Sequence, residues 1–290
     1  MVLAAGCRGF AAVHYVDLNS PSPSTPYTNW ATAATVIQDA VDAAAAGDEI
    51  VATNGTYATG GRALSGTGTS RAAVDKPLRL RSVNGPQFTV LNGAGLVRCV
   101  YLTSGASLSG FTLTNGAADY GGGVYCASGS ATALVSNCVV AGNIAVAGGG
   151  YGGGTYGGTL INCTISGNSA YYGGGGASGS TLNNCTVSGN QANNGGGISD
   201  GGGTYFCTVN NCTLKGNWAV QGGGAFFGTL TNCALTANTA SSTGGGADGS
   251  TLKNCAFTGN SAGGGGGAVE FRGNDEGPPS VQPELCGDGL

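Results

Sequence analysis

Apolar and polar residues alternate with a period of two over short runs, and the runs themselves return about every 22 residues. In Thr159-Leu-Ile-Asn-Cys-Thr-Ile-Ser-Gly-Asn168, Cys163 and Ile165 point one way and Thr164 and Ser166 the other. Leu160 lies three residues before Cys163, so a straight strand cannot bury both, and a bend at Asn162 resolves the conflict. Clear copies of the block start at Thr159, Thr181, Thr229 and Thr251, and looser ones at Val135 and Thr208; each is followed by a small-residue stretch and a glycine run. The cysteines at 138, 163, 185, 212, 233 and 255 are spaced by 25, 22, 27, 21 and 22 residues, so insertions occur without loss of phase. Self-similarity at this period predicts a solenoid in which no coil buries enough surface alone.

Upstream the pattern changes. His14 to Leu18 reads as a strand, and Val36, Ile37, Ala40, Val41 and Ala44 follow helical spacing to a stop at Gly47. Asp48 to Tyr57 is a further strand, and a helix laid across the first coil would cover the open apolar end. Strands at Leu78 to Val83 and Phe88 to Gly93 lead to an array running from Ser107 to about Phe271. The expected architecture is all-β: a parallel β-helix of about nine coils, with an N-terminal capping helix. Its segments are 1–13 (a signal remnant or cloning scar), 14–57 (cap and first coil), 58–274 (coils) and 275–290 (an acidic, Pro-rich tail).

Composition narrows the function classes. Gly is 59 of 290 residues, but Pro is only 8 and no Gly-X-Y period exists, which excludes collagen. A periodic 41% of apolar residues argues against disorder. A net charge of −4 with only 10 Lys and Arg leaves no footprint for nucleic acid, and no apolar stretch approaches a membrane span. Of the 11 cysteines, Cys163, Cys185, Cys212, Cys233 and Cys255, with Cys138, read as a buried column of thiols. Cys7, Cys126, Cys207 and Cys286 fall outside it and are the candidates for any disulfide; pairing among these and Cys99 stays open. No CxxC exists and the single histidine, His14, precedes the repeats, so no metal site is expected. Asn162, Asn184, Asn211, Asn232 and Asn254 form one candidate amide ladder, and Asn143, Asn168, Asn190, Asn217, Asn238 and Asn260 a second. Sequons at Asn162, Asn184 and Asn211 are generated by the repeat, and their amides are expected inside, away from glycosylation.

These features resemble the right-handed parallel β-helix of the pectate-lyase-like superfamily. His14 to Tyr57 is similar to the N-terminal cap of secreted bacterial β-helix proteins. Gly266-Gly-Ala-Val269, Phe257-Thr-Gly-Asn260 and Phe271-Arg-Gly-Asn274 resemble motifs of polymorphic outer-membrane protein passengers. The resemblance implies a secreted or cell-surface protein on the bacterial outer surface. It also implies a lyase or hydrolase alternative, in which calcium enters only with lyase chemistry.

The chemistry available is sparse. Catalytic candidates are Arg79, Arg81, Arg98, Asp119, Asp200, Lys215 and Asp248, with no Asp pair evident in the spacing. Aromatics at Tyr151, Tyr156, Tyr171, Tyr172, Phe226 and Phe227 gather at the Gly-rich corners and are the candidate ligand-binding residues. A T-x-[TS] column (Thr112/Thr114, Thr164/Ser166, Thr186/Ser188) raises ice binding as a minor alternative, broken at Lys215. The favoured reading is a non-catalytic module contacting a polysaccharide or surface glycan, as a monomer or part of a larger surface protein. The alternative is a lyase or glycoside hydrolase acting on an acidic polysaccharide.

Overall fold

The computed structural model describes residues 11–127, 132–146, 148–193 and 199–264. Cys7, Cys286, most of the expected leader, the Gly266–Val269 and Phe271–Asn274 matches and the 275–290 tail lie outside them. The chain winds as a parallel β-helix whose turns contribute to four sheets of ten, nine, seven and nine strands. The first sheet holds the strand before each Asn corner (Thr159–Ile161 in one coil), and the second holds the strand after it (Thr164–Ser166). The third is short (Ser169–Ala170), and the fourth follows the glycine run (Ala177–Ser178).

The array has about seven turns carrying the third-sheet strand, two fewer than the nine expected. The two preceding passages, through Glu49–Ala52 and Arg79–Ser82, lack that strand and form three-sided entry turns. The capping helix is present but short, Ile37–Ala43, because Val36 and Ala44 are extended at either end. It buries Ile37, Ala40 and Val41, and Gln38 Oε1 accepts the Ala73 N–H at 2.7 Å, pairing a buried backbone donor of the fourth sheet.

Registry is strict, and it places like on like. Leu108, Val135, Leu160, Leu182, Val209, Leu230 and Leu252 stack in one inward column. Leu113, Val140, Ile165, Val187, Leu214 and Leu235 stack in another. Nearly all are 0% exposed, and burying each is worth about 1.5–3 kcal/mol once both neighbours are in place. The corner asparagines before each cysteine, from Asn137 to Asn254, take φ of 51–55°, the left-handed bend that lets Leu and Cys both face inward.

The bend turns the amides of Asn162, Asn184 and Asn211 outward, so these sequon residues are exposed rather than internal. Asn232 Nδ2 donates to Asn211 Oδ1 at 3.1 Å and Asn254 Nδ2 to Asn232 Oδ1 at 3.2 Å, both at the surface. The buried ladder is the other column. Asn143, Asn168, Asn190, Asn217 and Asn238 each donate Nδ2 to the Oδ1 of the next coil's Asn at 2.9–3.0 Å, ending on Asn260.

Nine cysteines, all buried and free, lie among the described residues. Cys99, Cys126 and Cys207, whose pairing the sequence left open, are free: Gly158 and Ser180 stand between Cys126 and Cys207 in the stack, and Cys126 fills the space that Gly158 leaves empty. In the Asn-Cys column each thiol donates to the carbonyl two residues before it, as Cys163 Sγ does to Ile161 O at 3.3 Å. Burial pushes Cys138 up to about 11 and Cys126 up to about 12, so these two thiols stay protonated.

Candidate functional site

The glycine runs build the face that carries most of the exposed aromatics. In Gly174-Gly175-Gly176 the first glycine has φ +66°, and a Cβ on either of the others would lie 2.3–2.6 Å from backbone of the next coil. After the run one residue points in and the next points out. Strict register then aligns the outward residues of the fourth sheet as Tyr101, Tyr125, Tyr156, Ser178, Tyr205, Phe226 and Asp248. Isolated bridges align a second column beside it: Tyr120, Tyr151, Gly173, Asp200 and Gln221.

The rings stack along the helix axis. Centroids are 5.8 Å apart for Tyr101–Tyr125, 5.5 Å for Tyr125–Tyr156 and 5.8 Å for Tyr205–Phe226, with interplanar angles of 4–17°. Where Gly173 and Ser178 interrupt the columns, Tyr205 leans across to Tyr151 at 5.3 Å. Tyr172 packs at 5.7 Å from Tyr151 and edge-on against Tyr171. All six aromatics singled out in the sequence therefore share this face, joined by Tyr101, Tyr120, Tyr125, Tyr205 and Phe206. Because stacked rings turn their faces to each other, solvent meets mainly ring edges and phenol oxygens.

Phe206 and Phe227 extend the face around the corner, at φ +49° and +46°. The left-handed region costs a bulky residue about 1–2 kcal/mol, so two adjacent coils hold phenylalanine against a backbone preference. Phe227 was singled out from sequence and Phe206 was not. The available signal was alignment with Gly157, Gly179 and Gly249, which occupy the same position in other coils.

The charged candidates are scattered over three faces. Arg79 and Arg81 are on the first sheet, where Arg81 Nε donates to Glu49 Oε1 at 2.9 Å. Lys215 is exposed on the second sheet, between Ser188 and Thr236 in register, and interrupts the threonine column there. Arg98 belongs to the aromatic face but is 1% exposed. Its Nε donates to Tyr120 O and Gly121 O at 3.1 Å, and its Nη1 donates to Thr67 O at 2.7 Å. The guanidinium lies 4.9 Å from the Tyr125 ring centroid. Burial lowers its pKa to about 10, with Tyr125 and Asp119 opposing the shift. Arg98 thus ties three turns together, in the wall of a cleft of about 440 Å³ that Asp119 and Tyr120 also line.

Asp200 and Asp248 are brought closer than their sequence separation suggests. Burial pushes Asp200 up to about 6, and Asp248 adds to the shift; its Oδ1 is buried without a partner. Asp248 is 8% exposed and accepts from Thr243 Oγ1 at 2.5 Å. The folded state holds the Asp200 proton more tightly than the unfolded chain, so this group stabilises the fold at low pH. That contribution is lost as pH rises from the ordinary 3.8 through about 6. At a half-open carboxyl, screening leaves about 1 kcal/mol of the effect. Asp200→Asn is accordingly expected to gain about 1 kcal/mol over wild type at pH 7.5 and nothing at pH 3.5, by urea titration. An equal difference at both pH values would dismiss the protonation account. Among the described residues no group of three or more His, Cys, Asp or Glu is placed to hold a metal ion.

No protein-family model matches the chain, and no curated protein matches it in sequence. Solved structures do match in shape. Pectate lyase Pel9A superposes with a TM-score of 0.51 at 13% identity, covering 84% of this chain and 68% of that one. The pectin methylesterase from Aspergillus niger gives 0.48 at 14% identity, covering 92% and 93%. Pectin methylesterase PemA from Erwinia chrysanthemi gives 0.47 at 12%, covering 79% and 80%. The fold is the pectate-lyase-like right-handed parallel β-helix, and at such identities the likeness extends to the fold alone.

Proposed function

We propose that this chain is a secreted or cell-surface β-helix module that contacts glycans through its fourth sheet and does not cleave them. The observation that carries the reading is the near-continuous aromatic face from Tyr101 to Phe226, paved with rings and phenol hydroxyls. Such a surface offers C–H and hydroxyl contacts to a polymer lying along the axis. Of the described arginines that could grip and deprotonate a uronate, Arg79 is exposed on the first sheet, away from the aromatic face, and the other four are otherwise engaged. Arg98 and Arg71 donate to main-chain carbonyls, Arg62 pairs with Asp42 and Asp75, and Arg81 pairs with Glu49.

The test is affinity electrophoresis on neutral and acidic polysaccharides, run beside a reducing-end release assay with and without calcium. Retention by at least one polymer, weakened about tenfold or more by Tyr156→Ala, and no reducing ends are expected. Absence of retention from every polymer defeats the binding reading. Reducing-end release supports a second reading, glycoside hydrolysis, which the raised Asp200 carboxyl favours, with Asp248 two coils along the same face as the second carboxyl. Loss of that release in Asp200→Asn would assign the chemistry.

A further inference from the structure

The corner after the fourth sheet is glycine in three coils and phenylalanine in two: Gly157, Gly179, Phe206, Phe227 and Gly249, with φ of +71°, +59°, +49°, +46° and +59°. Glycine adopts this conformation without strain, and phenylalanine does not. Burial does not explain the exchange, because Phe206 is 55% and Phe227 39% exposed. The two rings stack at 5.4 Å and 9°, and Phe227 also covers Gly249, where a Cβ would lie 3.0 Å from its ring. Phe206 differs. Its ring meets Tyr205 of its own coil at 4.7 Å and 69°, and on the side away from Phe227 it borders the coil of Gly179, where a Cβ would meet no heavy atom within 4 Å. The column therefore drops by a full side chain between Phe206 and Gly179, leaving a step one coil high with an aromatic wall.

We propose that this step binds a neutral pyranose unit of a polysaccharide, its C–H face stacked on Phe206 and its edge over Gly179. The height of the step, about 4.8 Å, matches the thickness of one ring lying against another. Charge selects the class of sugar. Asp200 is in the coil of Phe206, and Asp248 pairs in register with Phe226 beside Phe227. The described lysines are elsewhere: Lys76 donates to the Ala44 carbonyl at the cap, Lys215 is on the second sheet and Lys253 on the first. A uronate would meet the Asp200 carboxylate here, whereas the hydroxyls of a neutral sugar can donate to it; Asp248 lies two coils beyond Phe206, past Phe227. The proposal rests on the glycan-contact reading and narrows it to one site and one ligand class.

Two variants test it against a purely structural role. Phe206→Gly installs the residue used by the neighbouring coils and relieves the backbone. Gly179→Asn fills the step with a residue that the Asn corners show to be at ease at φ near +55°. Binding of cellohexaose, mannohexaose, chitosan hexamer and hexagalacturonate is measured by titration calorimetry, alongside the melting temperature. At least one neutral hexamer is expected to bind wild type, at least tenfold weaker to either variant, with Phe206→Gly melting no lower than wild type. Preferred binding of hexagalacturonate or the chitosan hexamer overturns the assignment of a neutral ligand. Unchanged neutral-hexamer affinity in both variants, with loss in Tyr125→Ala, overturns this site while leaving the wider glycan reading intact. A marked drop in the melting temperature of Phe206→Gly with affinity retained makes the ring a structural cover. If wild type binds none of the hexamers or the parent polysaccharides, this proposal and the wider reading fail together.

Discussion

Gly175→Ala is expected to leave almost no folded protein at temperatures where wild type is intact. Gly175 is the middle glycine of its run, and an added methyl would lie 2.3 Å from Gln191 O and 2.5 Å from Gly202 O. Both obstacles are backbone, so no rotamer change relieves the clash. The adjoining coil cannot retreat either, because Gly175 N and Gly176 N donate across to Gly201 O and Gly202 O at 3.1 Å. Separating the coils to admit a methyl would break hydrogen bonds in every sheet of that turn. A cost of at least about 3 kcal/mol follows, at the upper end for overpacking. Gly179→Ala is the control: that position has open space and φ +59°, so only the left-handed penalty of about 1 kcal/mol applies. Urea denaturation followed by circular dichroism separates the two. Midpoints within error of each other would show that coil spacing is not set by the glycine runs.

Asn190→Ala carries the second large effect. Asn190 is 1% exposed, and its Nδ2 donates to Ile165 O at 3.0 Å and Asn217 Oδ1 at 3.0 Å. Its Oδ1 accepts both Asn168 N and Asn168 Nδ2 at 2.9 Å. Truncation removes four hydrogen bonds and strands the Asn168 amide N–H in a dry interior. Each bond is worth about 1 kcal/mol net and the stranded donor adds about 1–3 kcal/mol, so a loss of about 5–7 kcal/mol is expected. The exposed corner variant Asn184→Ala should lose about 1 kcal/mol, from the left-handed bend alone. Comparable losses in the two variants would mean that the buried ladder adds nothing beyond a turn preference.

The contrast between these asparagines marks how far the sequence could be read. Both columns recur once per coil with equal regularity, and period-two patterning places Leu, Cys and Ile inward without deciding between them. The Leu-to-Cys spacing did demand a bend at the first column, and that bend is present at every Asn-Cys corner. It also throws those amides outward, a consequence of backbone handedness that a face-by-face reading does not contain. Arg98 shows the opposite case. It shares parity with Val100 and Leu102, which are buried, so alternation already placed it inside, and only its charge suggested a role toward substrate. Asp200 and Asp248 are 48 residues apart, and repeat lengths of 21 to 27 obscure which coil lies over which. Phe206 was legible only as an exception among glycines, and exceptions become visible once the register is known.

The two amide columns also run in opposite senses. Within the core the amide-to-amide bonds run toward the C-terminal end, from Asn143 to Asn260, while the second Nδ2 proton of each returns to a carbonyl of the preceding coil. At the surface Asn254 donates to Asn232, and Asn232 to Asn211, toward the N-terminal end. Amides aligned in a chain polarise one another, so each column behaves as a small wire with a positive and a negative terminus. The protein thus carries two counter-directed dipole lines, one insulated and one wetted. Only the insulated line is shielded from water, so it is the less screened of the two.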